Sequence, residues 1–463
     1  MKYTKIAKRL LLILCFPVFI GCGRQEDWLD IKNSKGDVLP ETLADFQHLL
    51  NNGTELTSRY STAGLTMSDN LYLNEAEYLS MSQLERNLYT WNREIWDSGV
   101  SSDWNFLYAK IEIANLALEG LKKIDESESG YANIKGQALF FRSLSYYFLV
   151  NLFCTAYDDN AAQQALGLPL RTDPDVNVVY RRSSLRETFD FMIRDAELAA
   201  ELLDTSSPYN TRPSKQAAFA LLAKIYLLMG DYRQSLHYGE LALDGNTALL
   251  DFNDETKVNM EDTYRFPALG IGNSEIIYYA ESALYLSVMP APPYNGSVTE
   301  QLYRSYHDND LRKSVFYLDV NDSKKFIGTY TGSQTNFCGI ALNEIYFILA
   351  ESYNRLGDDS KARHFLNEIL MKRYKTGTYR VDDEPQKDAL LTLILNERRK
   401  ELPFTANIRW EDLRRLNKEA DRQSGIERVI NGVTYSLLPN ENRYVLPIPE
   451  QEIQISNITQ NQR

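Results

Sequence analysis

The chain has 463 residues, with 63 Asp and Glu against 50 Lys and Arg and a formal net charge of −13. That balance excludes a nucleic-acid partner, which calls for a basic footprint. About 440 residues lie beyond the first apolar run, long for one compact domain, so length predicts two or more.

Lys2, Lys5, Lys8 and Arg9 make a positive start, and Leu10 to Ile20 is an apolar run interrupted only by Pro17. A membrane span needs roughly 20 apolar residues, so this short core with basic flanks predicts a secretory signal over residues 1–21. Small Gly21 precedes Cys22, and Phe19-Ile20-Gly21-Cys22 resembles a bacterial lipobox, with Phe19 where Leu is usual. Cys22 is therefore the expected lipid anchor, since more than one acyl chain, at about 0.8 kcal/mol per buried methylene, gives stable attachment. The alternative is ordinary cleavage nearby, which leaves Cys22 a free thiol. Cys15 fits worse, because Leu14 before it is not small. Glu26-Asp27 resembles the acidic export signal that carries some lipoproteins to the cell surface. No later apolar stretch is long enough to span a bilayer. With Cys22 acylated, Cys154 and Cys338 remain, as a pair or as two buried thiols.

Residues 24–98 are mixed in pattern, and helical periodicity begins after them. Trp104, Leu107, Tyr108, Ile111, Leu118 and Leu121 recur at helical spacing and predict a helix over 101–125. The next, from Tyr131 to about Phe153, is apolar nearly all round and should be buried between others. A third is expected over 185–204, and a fourth and fifth over 215–244. Ala223, Tyr226, Gly230, Tyr232 and Ala242 fit a tetratricopeptide-like helix pair, a repeat of about 34 residues. Gly230 would end the first helix in a left-handed conformation and Asp231 would cap the second. The pattern returns as Ala350, Tyr353, Gly357, Asp358 and Ala362, in the same register. Between these copies, Thr247 to Gly339 is rich in Asn, Asp, Gly and Pro, and short β-prone runs such as Glu275 to Tyr279 predict loops and small strands. The expected fold is mainly α, with tetratricopeptide-like helix pairs as a scaffold and a loop-rich, small-strand insertion. Its regions would be 22–246 and 247–463. Loops on a rigid scaffold are where binding sites usually sit.

Catalytic constellations are missing. His48, His237, His307 and His364 form no zinc pair, and no phosphate loop or nucleophile elbow occurs. Gly270-Ile271-Gly272 opens a dinucleotide fingerprint, but Glu275 stands at the third Gly. Asp173, Asp175 and Asn177 begin like a calcium loop that Val178 and Ser184 then break. Neither a metal nor a cofactor is expected. The densest charge cluster is Glu397-Arg398-Arg399-Lys400-Glu401 with Arg409 to Arg415. It reads either as an anionic-ligand site or as an Arg–carboxylate network joining two helices, and the second is favoured. Thirty Tyr is a high count. Packing at helix edges accounts for most, though Tyr also suits sugar stacking.

The same cluster, continued by Leu402-Pro403-Phe404 and by Arg409-Trp410-Glu411-Asp412-Leu413, resembles the C-terminal signature of the SusD/RagB family. So do Leu446-Pro447-Ile448-Pro449 with Glu452, Asn457 and Thr459-Gln460-Asn461, and Leu342 to Asp358, with Asp310-Leu311-Arg312 upstream. Trp28-Leu29-Asp30-Ile31, Leu39-Pro40 and Asp45 to Leu50 look like the start of mature members. Thr405-Ala406 depart from the acidic residue and Gly that often follow the Phe. The resemblance implies a surface lipoprotein without catalytic activity, sitting as a lid on a SusC-like TonB-dependent transporter of the outer membrane and delivering a glycan, or in some members a peptide. An unrecognised secreted hydrolase is the reading from another class. In glycan-binding relatives the site uses aromatics after an early Ser-Asp segment and from the central insertion. Those places here hold Asp69, Asn70, Tyr72 and Tyr78, then Tyr285 and Tyr294. Rings stack on sugars while Asp and Asn take hydroxyls. Trp91 and Trp96 are further candidates, whereas Trp104 heads an apolar stripe and reads as core.

Overall fold

The computed structural model describes residues 40–463 except 176, 246–247 and 380–386. The expectations for residues 1–21, Cys22 and Trp28 to Leu39 lie outside the described residues. Thr42–Arg463 form one compact unit.

Three short helices come first, α1 (Leu43–Leu50), α2 (Gly53–Leu56) and α3 (Ala63–Met67). The scaffold follows as α4 (Ser102–Leu121), α5 (Tyr131–Phe153), α6 (Leu185–Leu202), α7 (Lys215–Met229) and α8 (Tyr232–Ala242). It continues in α9 (Leu342–Arg355) and α10 (Asp359–Met371), then α11 (Asp388–Glu401) and α12 (Ile408–Leu416). From α4 to α9 each helix packs on the next, so the predicted helices stand in one continuous row. Ser101 opens α4 by accepting the Trp104 N–H at 3.2 Å, which satisfies a donor that a helix start leaves without a partner. Every residue of α5 from Gly136 to Phe153 is buried, as its all-round apolar character requires. The guanidinium of Arg142 within it is matched by Asp195, at 2.6 and 2.9 Å, and Asn115, at 2.8 Å.

The two repeat copies fold alike. Gly230 (φ 75°) and Gly357 (φ 89°) are left-handed, and Asp231 and Asp358 cap α8 and α10 by accepting the Gln234 and Lys361 N–H groups at 3.1 and 3.0 Å. The shared register also produces matching ring pairs. Tyr226 stacks on Tyr238 with centroids 5.6 Å apart, and Tyr353 stacks on Phe365 at the same distance.

Twelve short strands make six antiparallel pairs among the described residues. They are β1 (Leu71–Tyr72), β2 (Leu166–Pro169), β3 (Arg182–Ser184), β4 (Ile276–Tyr278), β5 (Glu281–Ser282) and β6 (Ser297–Val298), then β7 (Tyr317–Val320), β8 (Ser323–Phe326), β9 (Asn336–Phe337), β10 (Ile340–Ala341), β11 (Ile426–Ile430) and β12 (Val433–Leu437). Pairs β1–β6, β4–β10 and β5–β9 tie distant segments together, and the rest are local. A large core runs through the helices, and a second apolar cluster lies under the loop-rich region, around Phe252, Phe316, Tyr317 and Phe326.

The charge cluster is a buried network. Arg312 meets Asp310, Glu397 and Glu401, and Arg373 meets Glu275 and Glu401. Arg398 meets Glu344 and Asp412, and Arg415 meets Glu351 and Asp412. The favoured structural reading describes Arg398 and Arg415, while Arg312 and Arg373 join the network from outside the cluster that the sequence marks. Cys154 and Cys338 are both free and buried, which decides the alternative left open by the sequence. No described helix is long and apolar enough to cross a membrane.

Candidate functional site

Among the concavities on the described surface, two open beside the loop-bearing segments around Tyr72 and Tyr209. The larger is a cleft of about 650 Å³, whose walls include Thr54, Ser58, Tyr209, Asn210, Leu269, Ile271, Asn273 and Glu281. One wall is built by backbone pairing: the Glu281 N–H of β5 donates to the Thr57 carbonyl at 2.8 Å, which places α2 beside the strand. The Tyr279 N–H donates to the Asn210 carbonyl at 2.7 Å, and Asn210 Nδ2 donates to the Leu269 carbonyl at 3.0 Å, so the 208–211 turn and the 269–272 loop are held together. Gly270 and Gly272 both take positive φ, which explains two glycines in this loop without any dinucleotide.

The cleft combines apolar and polar surface. Tyr209 is 56 % exposed and Ile271 68 %. The Arg212 guanidinium stands over the Tyr209 ring, 4.8 Å from its centroid, and is itself tied to Asn51 at 2.9 Å, which fixes the ring's orientation. Asn273 is buried in the wall, and its Nδ2 has no hydrogen-bond partner among the described residues. Such a leftover donor is costly unless something accepts from it. Beneath the floor, the Lys110 ammonium donates to the Ser58 carbonyl at 2.6 Å and to the Glu55 carbonyl. Burial pushes it down to about 7, against the raising effect of Glu55.

The second concavity is a groove of about 530 Å³ lined by Asp69, Tyr72, Tyr89, Thr299, Gln301, Arg399, Arg409 and the β11 residues Glu427 and Arg428. Here the sequence-predicted residues separate. Tyr72 is 51 % exposed at the groove, on β1 opposite Ser297 of β6. Asp69 lines it too, but its carboxylate is occupied by Arg409 at 2.7 Å through both oxygens and by Arg399 at 3.1 Å. Burial would raise the Asp69 carboxyl, yet Arg409 and Arg399 hold it well below the usual range. Asn70 is fully buried, its amide donating to the Pro403 carbonyl at 2.8 Å and accepting from Arg399 Nε at 2.8 Å. Tyr78 is half-buried and packs on Tyr89, centroids 6.1 Å apart. Tyr285 and Tyr294 line neither concavity. Tyr285 donates its hydroxyl to Asp103 inside the protein, and the Tyr294 carbonyl accepts from Lys325 Nζ at 3.1 Å. Trp91 and Trp96 are core residues, their indole N–H groups donating to the Met67 and Pro447 carbonyls at 2.9 Å each.

Sequence reading missed Tyr209, Leu269, Ile271 and Asn273. One signal was available: Pro208-Tyr209-Asn210 is a Tyr in a polar turn between two helices, outside any helical stripe. Among the described residues, no group of His, Cys, Asp and Glu is arranged to hold a metal ion.

The architecture is a helical-repeat scaffold with a loop-rich, small-strand region, and both the cleft and the groove are lined in part by that region. Residues 27–227 match a family described as starch-binding and associating with the outer membrane, and residues 261–463 match the SusD family. The chain belongs to the SusD family. SusD-like protein P2 of Formosa agariphila is 26 % identical over 100 % of this chain and 99 % of its own length. SusD-like protein P25 of the same organism is 23 % identical, covering 97 % of each. A SusD superfamily structure from Bacteroides thetaiotaomicron VPI-5482 superposes with a TM-score of 0.73 at 23 % identity, covering 91 % of this chain and 100 % of that one. A laminarin-binding SusD-like protein superposes at 0.64 and 20 % identity, covering 90 % and 98 %.

Proposed function

We propose that the chain is a non-catalytic lipoprotein, anchored through Cys22 at the cell surface, that binds a glycan in the 650 Å³ cleft and delivers it to a SusC-like TonB-dependent transporter. The observation that carries this reading is the grouping of exposed Tyr209, Leu269 and Ile271 with the polar wall residues Thr54, Asn210, Asn273 and Glu281 in one open cleft. A pyranose has an apolar face that stacks on a ring and a rim of hydroxyls that seek amide and carboxylate partners. Family membership and the laminarin-binding relative support the glycan class. Tyr72 at the groove offers a second exposed ring.

The test is calorimetry and affinity electrophoresis of the purified folded chain against a polysaccharide panel that includes laminarin. Binding by at least one glycan that Tyr209→Ala weakens about tenfold supports the proposal. Binding of peptides with no glycan overturns the ligand class, and hydrolysis of a bound polymer overturns the non-catalytic reading. Co-purification of a barrel protein with the lipidated form tests delivery.

A further inference from the structure

We infer that the groove holding Tyr72 is a second ligand site, one that takes the carboxylate or sulfate group of an acidic saccharide on Arg399 and Arg409. The arginines of the neighbouring cluster are saturated. Arg312, Arg373, Arg398 and Arg415 each meet two or more carboxylates and expose 7 % or less of their side chains. Arg399 and Arg409 differ on both counts. They share the single carboxylate of Asp69, and their side chains are 17 % and 15 % exposed.

The donor inventory points the same way. Arg409 uses Nε and one terminal nitrogen on Asp69, and Arg399 uses Nε and one terminal nitrogen on Asn70 and Asp69. The remaining terminal nitrogen, Nη1, of each makes no hydrogen bond among the described residues. A guanidinium presents a planar fork of N–H groups suited to an oxyanion, so this is an incompletely used anion site rather than a finished structural pair.

Charge in the lining agrees. Arg428 is a third guanidinium in the groove wall. It lies over the Tyr89 ring at 3.6 Å, donates to the Tyr89, Thr66 and Ser68 carbonyls, and has no carboxylate paired with it among the described residues. Arg399, Arg409 and Arg428 thus face Asp69 and Glu427, an excess of one positive charge on a chain whose net charge is −13. Exposed Gln301 and Tyr72 and the hydroxyl of Thr299 supply amide, ring and hydroxyl for the sugar around the acid group. The saccharide half of this inference rests on the glycan reading above; the anion half does not.

The folded chain is titrated by calorimetry with trigalacturonate against its methyl ester, with a sulfated galactan oligosaccharide against its desulfated form, and with inorganic sulfate. Gln301→Glu adds an opposing charge at an exposed position outside the ion-pair network, and Arg399→Gln removes a donor. One or both acidic saccharides are expected to bind about tenfold tighter than the neutral counterpart, more weakly as salt rises, and to lose that advantage in both variants while keeping it in Tyr209→Ala. Which acid wins separates carboxylate from sulfate. Equal binding of acidic and neutral forms, or an acidic preference that survives Gln301→Glu in a normally melting protein, overturns the site. Sulfate binding that Gln301→Glu weakens, with no saccharide bound by any form, keeps the anion site and overturns the glycan reading.

Discussion

Arg409 grips Asp69 with two parallel hydrogen bonds, Nε to Oδ1 and Nη2 to Oδ2, each 2.7 Å long, between residues 340 positions apart. The pair fastens the segment leading into β1 to the N-terminal turn of α12, and Arg399 of α11 closes on the same carboxylate.

Asp69→Asn leaves two guanidinium groups without their shared partner. Removing one member of such a part-buried pair costs about 3 kcal/mol, readable as a lower urea midpoint at neutral pH. The pH dependence has a definite sign. Although burial works to raise it, the Asp69 pKa is held below its unfolded value of 3.8 by the two arginines. Its contribution is therefore present above that value and is lost as pH falls through the folded one. The deficit of the variant should shrink below pH 3.8, and a deficit that stays constant there counts against the pair.

Lys110 gives a second, opposite window. Its folded value of about 7 lies below the ordinary 10.5, chiefly through burial, so between these values the folded chain holds fewer protons than the unfolded one. Its contribution to stability rises with pH across that window. The charged or polar groups around it are Glu55, Arg59, Tyr60 and Cys338. The stability difference between the protein and Lys110→Met, measured by urea melts from pH 7 to pH 10, should move in favour of the unaltered protein as pH rises.

Tyr209 and Tyr285 should separate affinity from stability. Tyr209→Ala removes an exposed ring and is expected to weaken glycan binding about tenfold, with no change in melting temperature. Tyr285→Phe removes the hydroxyl given to buried Asp103, whose other partner is Ser61. Losing that donor costs about 2 kcal/mol of stability and leaves affinity in the cleft unchanged.

The repeat turns make a matched pair. A Cβ at Gly230 or Gly357 meets nothing within 4 Å, so only the positive φ resists substitution. Gly230→Ala and Gly357→Ala should each cost about 1 kcal/mol in urea unfolding. A much larger loss at either would mean that contacts, not conformation, govern the turn.

What could be read from the chain itself was local. Helix spans, the Gly230-Asp231 and Gly357-Asp358 turns and the burial of α5 all follow from period, caps and apolar runs, because these depend on residues within a few positions of one another. An Arg–carboxylate network at Arg398 and Arg415 was also expected, but Glu344 and Glu351, which complete it, lie 54 and 64 positions away and were brought there by the tertiary structure. Only the tertiary structure decided which aromatic residues face outward. Asn70, Trp91, Trp96 and Tyr285 have the composition of a ligand site but point inward, because Pro403, Met67, Pro447 and Asp103 receive their polar atoms. Tyr209 and Ile271 lie far apart in the chain, and backbone bonds between the 208–211 turn, the 269–272 loop and Tyr279 bring them to one cleft. A side chain's exposure depends on what long-range folding lays over it, and neither period nor motif carries that information.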